Sequence, residues 1–351
     1  MNILMVGPSS KAKGGIATVI ANFRKYYRSN KIVYLETWQE KHRYFAGIRT
    51  LFLIRKKIRQ EKIDIVHFHV AQKGSFYRKA LLSYLVPRYT HYIFHMHASQ
   101  FDLFYEKSPR FLKKRIRDVL NRADHIVVLS ESWASFYRGL TKTPISVIPN
   151  AVEVPKEANY DSDAKKIIML GRQGERKGSY DVLQIAPLFP DYQFVLYGDG
   201  EIERLTKEIK RRNIQNVTLP GWLDVSKRDE VLSDAVLHLL ISYNEGLPMS
   251  ILETMAWGIP NLATSIGGIP EAIRDGENGF LVAPGDLQQI QIYLKLFLNE
   301  RELRLSLSKQ ARLTVENRFS IESYFSQWNA LYDASIYKKK RIEIDSESRH
   351  L

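Results

Sequence analysis

The feature that most constrains the fold is a rhythm that occurs twice: short apolar runs alternate with longer amphipathic stretches. The runs Ile3–Val6, Ile32–Leu35, Ile63–His67, Tyr92–Met96 and His125–Leu129 come first. After the polar stretch Asn159-Tyr160-Asp161-Ser162-Asp163 the rhythm restarts, with Ile167–Leu170, Gln193–Tyr197, Val217–Leu219, Leu237–Ile241, Asn261–Ala263 and Gly279–Val282. Short, largely continuous apolar runs separated by helical spacing suit a parallel sheet covered on both faces by its crossover helices. Two α/β units in tandem are therefore predicted, 1–163 and 164–320, and 351 residues suffice for two cores. In such sheets ligands lie beyond the carboxyl ends of the strands, so the loops after strands are where chemistry belongs.

Beyond the second unit, Ile321–Ile336 has helical spacing through Tyr324, Phe325, Trp328, Leu331 and Tyr332, and needs an apolar surface to cover. The polar segment 338–351 is expected to fray. The chain has no cysteine, which removes disulfides, thiolate chemistry and zinc–cysteine sites and suits a reducing compartment. The first residues lack the basic lead and long apolar core of a signal peptide, and no apolar run approaches the roughly 20 residues of a membrane span. A cytoplasmic protein, soluble or peripheral to a membrane, is expected.

Two loops stand out. Asn244-Glu245-Gly246-Leu247-Pro248-Met249-Ser250-Ile251-Leu252-Glu253 follows an apolar run, with Pro248 near a helix start and Gly246 able to take the turn into it. Glu245 then stands in the loop and Glu253 within the helix, so both can look into one site. The first helical N–H groups, from Leu247 to Ser250, offer an anion donors, apart from the one that Pro248 lacks. Taken alone, the two acids read equally well as a helix-start acid and a solvated face. The second loop, Gly171-Arg172-Gln173-Gly174-Glu175-Arg176-Lys177-Gly178, opens onto a helix beginning near Ser179. Arg and Lys are the cations best suited to a diphosphate, and glycines let a ligand approach the backbone closely.

The ordered set of motifs resembles family 4 glycosyltransferases, which have the GT-B fold of two Rossmann-like domains facing across a cleft and retain anomeric configuration. The set comprises Gly171-Arg172 to Lys177-Gly178, Tyr197-Gly198-Asp199-Gly200, Glu245 with seven residues before Glu253, Met255 to Pro260, and Gly267-Gly268-Ile269-Pro270-Glu271. Upstream, Lys13-Gly14-Gly15-Ile16, Val66 to His69, His95-Met96-His97 and Ile148 to Val152 are similar to the same family's first domain. The resemblance implies that Arg172 and Lys177 hold the diphosphate of a UDP- or GDP-sugar, that Glu253 accepts the ribose hydroxyls, and that Glu245 holds the donor sugar. Gly246, Leu247 and Ser250 would complete the donor site. Gly14 and Gly15 would approach the diphosphate or the acceptor, and His97 the donor sugar or acceptor region. It also implies that the helix at about 321–337 crosses back onto the first domain. No cofactor or metal is implied, and Asp161-Ser162-Asp163 reads as linker rather than a metal motif.

The net charge of +14 is unevenly held: residues 1–163 carry 28 Lys and Arg against 13 Asp and Glu, while the remainder is nearly balanced. Ile48–Gln60 and Ser108–Arg122 are cationic and amphipathic; in the second, Phe111, Leu112, Ile116, Val119 and Leu120 can face inward with Arg and Lys around them. An anionic membrane surface at the inner face of the cell membrane, with a lipid-linked or oligosaccharide acceptor, is the expected partner. Nucleic acid is not, for want of a groove-reading or base-stacking motif. The rival readings are a sugar-nucleotide epimerase of the same architecture, a metal-dependent hydrolase built on the pairs His67/His69 and His95/His97, and a nucleic-acid-binding protein gripping a phosphate backbone through the clustered Lys and Arg.

Overall fold

The computed structural model describes residues 1–12, 14–38 and 43–347, with the side chains of 43–48, 225 and 337–347 left outside the description. Residues 1–150 and 322–351 form one compact unit and 151–321 the other. The first holds β1 (Asn2–Pro8), β2 (Lys31–Trp38), β3 (Ile65–Val70), β4 (His91–Met96), β5 (His125–Val128) and β6 (Ile145–Val147). The second holds β7 (Lys166–Leu170), β8 (Gln193–Tyr197), β9 (Val217–Gly221), β10 (Leu237–Leu240), β11 (Asn261–Thr264) and β12 (Gly279–Val282).

Both sheets are six-stranded, in the orders β2-β1-β3-β4-β5-β6 and β12-β11-β10-β7-β8-β9. All the pairings are parallel. Strands such as β3 and β10 are buried along their whole length, which is why they read as unbroken apolar runs. The strand order reverses between β1 and β3 in the first sheet and between β7 and β10 in the second. At such a switch point the connecting loops part to opposite sides and leave a crevice. The loops at 171–178 and 242–248, picked out by their residues, emerge side by side at the second of these crevices.

Three expectations are corrected. The division falls after Asn150 rather than in 159–163, because Val152 N donates to Phe319 O at 3.0 Å and Arg304 Nε donates to Ser162 O at 2.8 Å, tying the segment to the second unit. The terminal helix runs over Ile321–Glu347, well into the segment expected to fray; no proline or glycine interrupts it. Residues 348–351 lie outside the described residues. Phe111 does not face inward but is 67% exposed. The helix Arg110–Asn121 buries Ile116, Val119 and Leu120, and Phe111, five residues before Ile116, falls well off that stripe.

The terminal helix packs on the first unit through Tyr324, Phe325, Trp328 and Tyr332, all buried. Phe23, on the helix Gly15–Tyr26, stands among them, with ring centroids 5.1 Å from Phe325 and 5.9 Å from Trp328. Aromatic anchors of this size cost about 3–5 kcal/mol each to truncate, so this helix belongs to the unit's core.

Candidate active site

At the crevice of the second unit, the loop after β7 is shaped by glycines where a side chain cannot fit. Gly198 has φ +144, and a Cβ there would stand 1.7 Å from Gly171 O; at Gly178, with φ +75, it would stand 2.3 Å from Ile241 O. The buried Gln173 fixes the loop from within: its Nε2 donates to Gly171 O at 2.9 Å and to Tyr197 O at 2.8 Å, and its Oε1 accepts from Ser179 Oγ at 2.9 Å. The loop closes in a single 3₁₀ turn, Glu175–Lys177. That turn sends Lys177 inward beneath Gly171, whose missing Cβ would lie 3.0 Å from Lys177 Cε.

Lys177 meets Glu245 there. Its Nζ lies 2.8 Å from Glu245 Oε1, with the two side chains only 8% and 10% exposed. Arg176 reaches the same oxygen at 3.2 Å and Asn244 O at 2.8 Å. Burial opposes ionisation of Glu245, but Lys177 and Arg176 together hold its carboxyl below the ordinary range. Pro248 caps the helix Met249–Ala256, which places the N–H of Ser250 in its donor-rich first turn, after the buried Gly246 and Leu247. Gly267, at φ +54, lets its own loop approach within 2.2 Å of Glu245 O at the position a Cβ would take, and Gly268 N donates to Gly246 O at 2.7 Å. Glu253 lies one turn on, with Oε1 3.2 Å from Arg228 Nη1. Burial raises its pKa and Arg228 opposes the rise.

Among the residues expected in the donor site, Lys177 and Glu245 are in contact, with Gly246, Leu247, Ser250 and Glu253 on the adjoining turn. Arg172 is exposed and makes no ion pair among the described residues. Arg176, from the same loop, takes the place beside Glu245 that its residue type would equally have suited. Arg228, which opens the helix Arg228–Ser233, was not expected. It lies 25 positions from Glu253, and no spacing in the sequence joins them.

In the first unit, Gly14 (φ +117) caps the helix Gly15–Tyr26, with nothing within 4 Å of where its Cβ would be; Lys13 of the same motif lies outside the described residues. The histidines gather on β3 and β4. His67 hydrogen-bonds Tyr332 OH at 2.6 Å through Nδ1 and His95 Nδ1 at 3.2 Å through Nε2, while His69 Nδ1 bonds His97 Nε2 at 2.9 Å. Burial drives all four pKa values down, that of His97 to about 3 with Lys79 adding to the effect, so the cluster is neutral at pH 7. The ligand atoms of His67, His69 and His95 lie within 4.8 Å of one another, as a metal site requires. An imidazole binds a metal in its ring plane, however, and the rings of His67 and His69 are stacked 14° from parallel with centroids 4.4 Å apart. As these two rings stand, one ion cannot lie in both planes, and the four imidazoles are tied into a hydrogen-bonded stack.

Two parallel six-stranded sheets with glycine-lined loops and charged side chains at a switch point define a tandem Rossmann-like, ligand-binding class. A family model described as "Glycosyl transferases group 1" matches residues 152–314, and one described as "Glycosyltransferase Family 4" matches residues 13–155. The chain belongs to glycosyltransferase family 4, with the GT-B fold, and is a sugar-transferring enzyme. An uncharacterized glycosyltransferase of Haemophilus influenzae is 29% identical over 218 residues, 59% of this chain and 61% of its own length. The Escherichia coli UDP-Gal:alpha-D-GlcNAc-diphosphoundecaprenol alpha-1,3-galactosyltransferase is 25% identical over 324 residues, 83% of this chain and 81% of its own. Among solved structures, sucrose-phosphate synthase from Thermosynechococcus elongatus superposes with TM-score 0.81 at 16% identity, covering 96% of this chain and 99% of its own. Anabaena HepE, solved with UDP, has TM-score 0.76 at 17% identity, with coverages of 95% and 100%. These two likenesses carry the fold. No helix among the described residues is long and apolar enough to cross a membrane.

Proposed function

We propose that the protein transfers a hexose, with retention, from a UDP- or GDP-sugar to a hydroxyl of a lipid-linked saccharide in surface polysaccharide or glycolipid assembly. The observation that carries the reading is the buried Lys177–Glu245 contact at the β7/β10 switch point, where a glycine loop and a helix N-terminus converge. In this reading Lys177 and Arg172 bind the donor diphosphate, Glu245 the sugar hydroxyls and Glu253 the ribose. The E. coli relative is named for a UDP-sugar donor and a diphosphoundecaprenol acceptor, and HepE has been solved with UDP-glucose; both favour a nucleotide-sugar donor here.

The bond from sugar C1 to the diphosphate oxygen breaks with its electron pair leaving on the diphosphate, where the cations stabilise the charge. The acceptor oxygen bonds C1 from the same face, and its proton passes to the departing diphosphate. Glu245, engaged by two cations, suits holding hydroxyls better than attacking carbon. His97, neutral and tied to His69, would orient the donor sugar or the acceptor through hydrogen bonds. The exposed Phe52 (78%) and Phe111 (67%) lie on basic helices, Arg43–Gln60 and Arg110–Asn121, which suits docking on an anionic membrane. Proton NMR of the first-formed product tests the reading: the donor's anomeric configuration is expected, and an inverted product overturns it. Conversion of the donor without any acceptor would favour the epimerase.

A further inference from the structure

The helix Gly74–Ser83, which follows β3, gathers positive charge toward its head and has no acidic residue in its first turn. Lys79 is only 2% exposed, and among the described residues its side chain makes one hydrogen bond, from Nζ to Ser75 Oγ at 3.2 Å. An ammonium carries three protons, so two of these have no acceptor among the described residues. Ser75 Oγ in turn accepts from Ala71 N at 3.1 Å, which sets this group at the carboxyl end of β3. The Arg78 guanidinium folds onto the same turn: its Nη1 lies 3.4 Å from where a Cβ on Gly74 would stand, and its Nε is buried without a partner. Lys73 occupies the N-cap, and no side chain caps the helix.

The first N–H groups of a helix lack internal acceptors, and the macrodipole is positive at that end. Cations beside it therefore repel both one another and the helix. Burial lowers the pKa of Lys79 to about 7, with Arg78 adding to it, and its charge reaches His69 and His97 at the ends of β3 and β4. A buried amine with protons unspent is held charged only by an anion, and the described residues supply none.

We propose that Lys79, Arg78, Ser75 and the first N–H groups of the helix Gly74–Ser83 bind a phosphoryl group carried by the acceptor, anchoring it beside His97. A phosphoryl group offers several acceptor oxygens and up to two charges, which match a helix head flanked by an ammonium and a guanidinium. The inference rests on the reading that the first unit receives the acceptor.

The test is calorimetric titration of the full chain with inorganic pyrophosphate, in the wild type, Lys79→Met and Lys177→Met. Two sites are expected in the wild type, one lost in each variant. Arg78→Gln, at a partly exposed position, should weaken the Lys79 site about tenfold, as loss of one charge-assisted bond does, and it serves if Lys79→Met does not fold. Undecyl diphosphate should displace pyrophosphate from the Lys79 site, and UDP from the other. An unchanged stoichiometry in Lys79→Met overturns the proposal, as does displacement from the Lys79 site by UDP alone. A failure of the donor-site reading looks different: Lys177→Met would then bind as many pyrophosphates as the wild type, while Lys79→Met still loses one.

Discussion

Replacing Lys177 with Met removes one half of a buried ion pair and leaves the other in place. Breaking such a pair from one side costs about 3–5 kcal/mol, because the survivor is buried and uncompensated. Arg176 stays 3.2 Å from Glu245 Oε1 but is 40% exposed, so it offsets only part, and a loss of about 2–3 kcal/mol is expected. Glu245→Gln alone strands Lys177 in the same way. The double variant Lys177→Met/Glu245→Gln leaves no buried charge and should lose about 2 kcal/mol less than the sum of the singles. The pH dependence follows from Glu245. In the wild type its folded pKa is depressed, so its contribution is present above the unfolded carboxyl pKa and lost as pH falls through the folded value. Without Lys177 burial prevails and the carboxyl rises, so the gap between variant and wild type should narrow from pH 7 to pH 4.5. Urea unfolding of all four proteins at both pH values measures these quantities. Additive singles, with a gap independent of pH, would refute the reasoning.

Three further outcomes are expected. The buried histidines have folded pKa values below the unfolded value near 6.5, so their contribution is intact above that pH and shrinks by about 1.4 kcal/mol per imidazole for each unit below it. The melting temperature should therefore fall between pH 6.5 and 4.5, less steeply in His69→Asn; equal slopes would count against the cluster. Gly198→Ala places a Cβ 1.7 Å from Gly171 O at φ +144, so it should cost at least about 1–3 kcal/mol from backbone strain alone and weaken nucleotide-sugar binding in a thermal-shift assay; wild-type behaviour would show that the loop has another shape. Flotation with anionic vesicles should carry the protein at low salt and release it at high salt, with Phe52→Ser/Phe111→Ser floating poorly; equal flotation with neutral vesicles would remove the membrane reading.

The strands were largely legible because buried parallel strands announce themselves as apolar runs, and the glycine loops because φ above zero and close backbone approach select glycine. β6 escaped: it is three residues long, has Ser146 at its centre and is buried only in part. The apolar character of Phe111 shows only that its side chain could be buried, whereas the helix stripe through Ile116, Val119 and Leu120 decides that it is not. In the site, Lys177 and Glu245 could be named from their loops. The choice of Arg176 over Arg172 as the second cation on Glu245 depends on the 3₁₀ turn at 175–177, which directs one arginine toward β10 and leaves the other outside. Arg228 and Lys79 owe their significance entirely to tertiary placement: one finds a carboxylate far along the chain, and the other is a helical lysine that faces inward with no acid paired to it among the described residues.

The central claim is sugar transfer from a nucleotide donor, and release of nucleoside diphosphate from a panel of UDP- and GDP-sugars, with and without lipid-linked saccharide acceptors, tests it most directly. Release from one donor class, dependent on acceptor and reduced about a hundredfold or more in Lys177→Ala through lost charge stabilisation, is the predicted result. Folded protein that neither binds nor turns over any sugar nucleotide would contradict it.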